Sequence, residues 1–161
     1  MTELFHRPGF LGTSANLAAD ATLVAMLVIG ALFTVGAVLA RRSRYETHRW
    51  VQTGTAVINL ILVAWMMILP YRDFILPGFP ERIGETFYLS TTLHAFVGVA
   101  AILFGSFVVL RGNGLVPDAL KFQNYKRMMR IAYGLYMAAI VLGIWVYFTW
   151  FVTNPNPPVY N

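Results

Sequence analysis

The sequence predicts an all-α polytopic membrane protein: a single transmembrane domain over residues 1–161, four helices in an up-down bundle, both termini outside. Three observations predict it. The 161 residues are 58% hydrophobic and only 12% charged, a balance that soluble domains do not show. Four runs carry no charged residue, 21–40, 50–71, 86–110 and 131–152, and each has the roughly 18 to 20 residues that cross about 30 Å of hydrocarbon as a helix. The positive residues are also sorted. Arg41, Arg42, Arg44 and Arg49 lie between runs one and two, and Arg111, Lys121, Lys126, Arg127 and Arg130 lie between runs three and four; the other side has only Arg7, Arg72 and Arg82. By the positive-inside rule the two basic loops are cytoplasmic.

The first run follows a mixed segment with Glu3, His6, Arg7 and Asp20 and ends in Arg41-Arg42 with no convincing cleavage site. It reads as a retained span and not a cleaved signal peptide. RRSRYETHRW, residues 41–50, reads as a basic hinge at the inner face. The second run holds Asn59, Met66 and Met67 and ends at Pro70-Tyr71. The loop YRDFILPGFPERIGE mixes turn residues with apolar ones, which predicts a turn dipping into the interface or a contact surface for a partner. Run three contains His94. The basic stretch KFQNYKRMMR begins the fourth helix slightly before the bilayer, and the tail NPNPPVYN is too rich in proline to continue it, so it should be extended.

Small residues at four-residue spacing, Gly30 with Thr34, Gly134 with Ala138 and Ala139 with Gly143, predict close helix contacts. Trp50, Tyr71, Tyr88, Tyr133, Tyr147 and Trp150 sit near the span boundaries, where they read as interfacial anchors.

Several kinds of chemistry are excluded. There is no cysteine, hence no disulfide, thiolate metal site or cysteine nucleophile. The net charge of +5 comes from the ends of the spans, so it orients helices and does not indicate nucleic acid. No phosphate cradle or HExxH motif occurs.

His94 is the imidazole inside a span. Eight residues beyond Thr86, it lies roughly 12 Å below the outer boundary at about 1.5 Å per residue. An ionisable group at that depth faces the bundle interior, either as a ligand or proton carrier or as a neutral interhelical hydrogen-bonding group. Asn59 reads as interhelical glue before it reads as a site. His48, beside Arg49, reads as a solvated residue at the inner face. About 20 Å of depth separates it from His94, whereas nitrogens sharing one metal lie only about 4 Å apart. Any sites at His94 and His48 are therefore separate. Partners at the depth of His94 are Met66 and Met67, which would complete a histidine–methionine haem site or simply pack. Near His48 the candidates are Tyr125, Met128 and Met129.

Four stretches, NLAAD, ETHRWVQTGTAVINLILVAWMMILPY, GETFYLSTTLHAFVGVAAILFGSFVVL and NYKRMMRIAYGLYMAAIVLGIWVYFTW, resemble the CtaM/YozB-like family of small four-helix membrane proteins. The likeness covers most of residues 16–150. The family pattern has four histidines; His48 and His94 match two of them, while Pro70 and Tyr125 stand at the other two. The resemblance implies an accessory role, not an enzyme, in maturation of respiratory haem-copper oxidases in the cell inner membrane. It also implies a larger respiratory complex as partner, with haem or copper as the group handled. Two alternatives stay open: a cytochrome-b-like electron carrier using His94, and a structural subunit that has lost the ligand chemistry.

Overall fold

The computed structural model describes residues 3–121 and 123–158. Within them the chain is helical: α1 (Glu3–His6), α2 (Leu17–Arg41), α3 (Tyr45–Met66), α4 (Ile68–Pro70), α5 (Thr86–Gly112) and α6 (Tyr125–Phe151). Leu17–Arg41, Tyr45–Gly78, Thr86–Gly112 and Tyr125–Phe151 are each long and apolar enough to cross a membrane. Large apolar side chains such as Phe96, Leu103 and Val141 stand on the outside of the bundle, as a hydrocarbon solvent permits.

The helices overrun the charge-free runs because charge at a helix end has other ways to be satisfied. α2 begins at Leu17, not at 21. Asn16 caps it, its side chain accepting from Ala19 N at 2.9 Å, the usual way to satisfy a first-turn N–H. Asp20 then falls in the first turn, where a negative charge suits the helix dipole. α3 begins at Tyr45, so most of the expected hinge is helix; the turn itself is Arg42–Arg44, with Ser43 at φ 57°. α6 begins at Tyr125 and takes in YKRMMR, the second part of the expected stretch; residues 121, 123 and 124 are non-helical, and Phe122 lies outside the described residues. Of the tail, residues 159–161 lie outside them as well; residues 154–158 are non-helical.

The second run does not stay one helix to 71. α3 breaks at Met66, four residues before Pro70. A proline clashes with the carbonyl four residues back and offers no N–H to it. Beyond the break the chain continues through α4, a π-helical turn (Tyr71–Ile75) and a 3-10 turn (Leu76–Gly78).

Around the bundle each long helix runs antiparallel to its neighbours, in the order α2, α3, α5, α6. Gly36 of α2 meets His48 of α3, Thr53 of α3 meets Asn113 at the C-cap of α5, Ser90 of α5 meets Thr149 of α6, and Asp20 of α2 meets Tyr147 of α6. The start of α2 and the end of α6 therefore share one end of the molecule, here called the terminal end. At mid-bundle Ile29, Phe33, Ala101 and Tyr136 form a core, with the Phe33 and Tyr136 rings stacked at 4.3 Å. Gly30 is a close-contact point, a Cβ there falling 2.6 Å from Ile140 Cδ1, whereas Gly134 has nothing within 4 Å. Gly143 is a second close-contact point, 2.6 Å from Met26 Sδ by the same measure, so the small-residue spacing marks two real contacts and one surface position.

The 71–85 loop folds back over the terminal end. Ile75 is wholly buried and packs with Tyr88 and Trp150. Phe87 stacks on Trp150 at 4.7 Å, and Trp150 Nε1 donates to Thr91 Oγ1 at 2.7 Å. Tyr88, Tyr147 and Trp150, expected as boundary anchors, are buried because this loop and the N-terminal segment cover them; Trp50 is exposed.

Candidate functional site

An apolar cavity of about 750 Å³ occupies the terminal half of the bundle, lined from all four long helices and from the chain after the α3 break. Its size falls in the usual range for cofactor and small-molecule sites. It exists because α3 and α5 pack on one another less closely than α2 on α3 or α5 on α6. Phe96, Val99 and Ile68 line it and are themselves exposed, so it opens sideways between α3 and α5.

His94 lies on the cavity wall. Its Nδ1 is 2.9 Å from the Ala139 carbonyl oxygen of α6. A carbonyl only accepts, so Nδ1 carries the proton, and in the neutral ring that places the lone pair on Nε2. No protein hydrogen bond reaches Nε2 among the described residues. The interhelical bond and the open nitrogen thus belong to one side chain, and the two readings of His94 do not compete.

Met66 and Met67 line the same cavity. Met26 lines it too and was missed: only from the observed start of α2 at Leu17 does its distance into the helix come close to that of His94 from Thr86. Asn59 is on the wall, and its side chain makes no hydrogen bond among the described residues. Thr92 Oγ1, another wall residue, is buried without a hydrogen-bond partner. No group of three His, Cys, Asp or Glu side chains is placed to hold a metal among the described residues.

His48 lies elsewhere. Its Nδ1–H donates to the Gly36 carbonyl of α2 at 2.7 Å, so it is a half-buried helix contact and not a solvated hinge residue. His48 is next to Gly36 and His94 is next to Met26; those two α2 positions differ by about 15 Å along the axis. Tyr125 packs on α5 instead, its hydroxyl 3.4 Å from the Val108 carbonyl, and Pro70 stands at the helix break.

The N-terminal segment covers the terminal end of this region and is tied down by Asp20. Asp20 is fully buried, accepting from Phe10 N at 2.6 Å and Leu11 N at 2.7 Å on Oδ2 and from the Tyr147 hydroxyl at 2.6 Å on Oδ1. With that proton committed, Thr13 donates to the Tyr147 oxygen at 2.7 Å. Ser14 Oγ donates to the Phe151 carbonyl at 2.6 Å. A carboxylate with three donors is satisfied, so Asp20 is a tether and not an open acid.

On the adjoining loop Arg82 grips Glu85 through both carboxylate oxygens, at 2.7 and 2.8 Å, and donates to the Tyr88 hydroxyl at 2.7 Å. The hydrogen bond from Arg82 holds the Glu85 carboxyl below its usual range and raises the guanidinium in turn. In the comparisons with known proteins, no family model, no curated protein and no solved structure matches this chain.

Proposed function

We propose that this chain is an accessory protein for the maturation of respiratory haem-copper oxidases, holding haem or copper transiently at His94. It sits in the cell inner membrane as a multi-pass protein with both termini outside and the basic loops inside, and works beside a larger respiratory complex. The observation that carries the reading is His94 itself, pinned through Nδ1–H on the wall of an apolar cavity. A ring fixed by one nitrogen and open at the other is the common setting of a metal-ligating histidine.

The residues fit either group. Nε2 of His94 would ligate haem iron or copper, and the thioethers of Met26, Met66 and Met67 line the same cavity. When bound, the group supplies a redox-active metal. The chain's own part is to orient the imidazole and to keep water away with apolar walls. The oxidase link comes from the family resemblance in the four quoted stretches, and topology from the arginine and lysine placement.

The test is a deletion strain complemented with the native gene or with His94→Ala. Oxidase activity and haem content should fall on deletion, recover with the native gene and stay low with His94→Ala at equal protein level. Normal oxidase in the deletion strain would overturn the reading. Reporter fusions to both termini test the orientation; a cytoplasmic signal from either counts against it. Pro70 and Tyr125 favour a second reading, a structural subunit without ligand chemistry. For that subunit His94→Ala would complement fully.

A further inference from the structure

α2, α5 and α6 come together at Gly143. A β-carbon on that residue would lie 2.6 Å from Met26 Sδ and 3.0 Å from His94 Cε1. The sulfur of one helix and the ring edge of another therefore share the notch left by the missing side chain. Met26 is buried, 7% exposed. Of the two nitrogens bonded to that Cε1, Nδ1 is held by the Ala139 carbonyl of the same helix as Gly143, which leaves Nε2 as the open one.

We propose that Met26 Sδ and His94 Nε2 form a binding site for a cuprous ion, with Met66 as the further thioether on the same wall. The proposal rests on the reading of His94 as a ligand and assigns its partner and the kind of metal. Donor chemistry selects the ion. Thioether sulfur is a soft ligand and suits Cu(I), while imidazole suits several metals. Both donors are neutral, and Asp20, the buried carboxylate nearby, has its oxygens taken by Phe10, Leu11 and Tyr147. A dication in this apolar setting would keep its full charge without compensation, at a heavy desolvation cost; a soft monocation carries half that charge. Zinc sites draw on thiolate, imidazole and carboxylate donors, of which only imidazole is available here. Gly143 is part of the design, since a side chain there would drive the two donors apart.

The experiment titrates the purified full-length protein in detergent, under reducing anaerobic conditions, with Cu(I) held by a chromophoric competing chelator. Native protein should bind one Cu(I) and no Zn²⁺ at the same concentrations. Met26→Leu, which keeps the side-chain volume, should weaken Cu(I) at least tenfold, and His94→Ala should abolish binding. Wild-type affinity in Met26→Leu with loss in His94→Ala removes Met26 as a ligand and leaves the His94 reading standing; full binding in both variants removes both. Zn²⁺ binding as tight as Cu(I) overturns the choice of metal. Ag(I) as a diamagnetic probe gives an independent readout in native protein, where the Met26 methyl resonance should shift on binding. An unshifted Met26 methyl in the Ag(I) complex overturns the pair, whatever the variants do.

Discussion

Asp20 shows how a single residue changes meaning between sequence and fold. In the chain it is the charge that ends a polar segment; in the structure it is a buried acceptor joining residues 10 and 11 to α6. Asp20→Ala leaves two N–H groups and a hydroxyl without their acceptor, and each such loss costs about 1–3 kcal/mol when it stays buried. The segment is free to swing into solvent, so the expected net loss is about 3 kcal/mol at most. Thermal unfolding in detergent and faster amide exchange at Phe10 and Leu11 would measure it; unchanged exchange would contradict the tether. Glu85 makes a pH prediction. Its carboxyl is lowered in the fold by the Arg82 hydrogen bond, so the stabilisation is present above the ordinary carboxyl range and fades as pH falls through the lowered value. The pair is solvent-exposed, which keeps the effect small. Trp150 fluorescence should report an acid-side loosening of the loop that Glu85→Gln lacks.

At the scale of helices and turns, local chemistry explains more than hydropathy does. Charge-free runs located the four long helices but put the starts of α2, α3 and α6 several residues late, because Asn16 caps α2 early, α3 opens with a turn carrying Glu46, and α6 opens with one carrying Lys126 and Arg127. The break at Met66 was readable in Pro70, four residues on, yet an apolar run of 22 residues invites a single helix. Two substitutions test the element-level account. Ser43 holds a left-handed φ of 57° that glycine adopts without strain, so Ser43→Gly should raise stability by about 1 kcal/mol. Gly105→Ala would set a Cβ 2.5 Å from the Tyr136 ring and should cost about 1–3 kcal/mol, whereas Gly134→Ala, in open space, should be neutral or stabilising. Equal unfolding temperatures for the two alanine variants would show that α5 and α6 do not cross as described.

For the whole molecule the controlling fact is uneven packing around the ring of helices. Tight α2–α3 and α5–α6 pairs meet more loosely along α2–α6 and α3–α5, and the cavity opens on the α3–α5 side. Gly98 lies on that wall, and a β-carbon there would meet nothing within 4 Å. Gly98→Leu should therefore fold at least as well as the native chain, helped by about 0.5–1 kcal/mol of helix propensity, while obstructing uptake of haem or Cu(I). Thermal unfolding and ligand titration separate the two effects, and undiminished uptake would argue that ligands do not enter from that side.

Run length and loop brevity are one-dimensional quantities, so the amino-acid order alone was enough for the number of long helices, their rough extents and their antiparallel order. It also singled out His94, since an imidazole in an apolar run is costly wherever it faces. What His94 meets was settled only by packing. α5 is apolar on all sides, without a polar face to fix its rotation about its own axis, so depth could nominate Met66 and Met67 and overlook Met26. That rotation is set by contacts such as Tyr136 against Gly105 and by the space at Gly143, which exist only once three helices have been brought together.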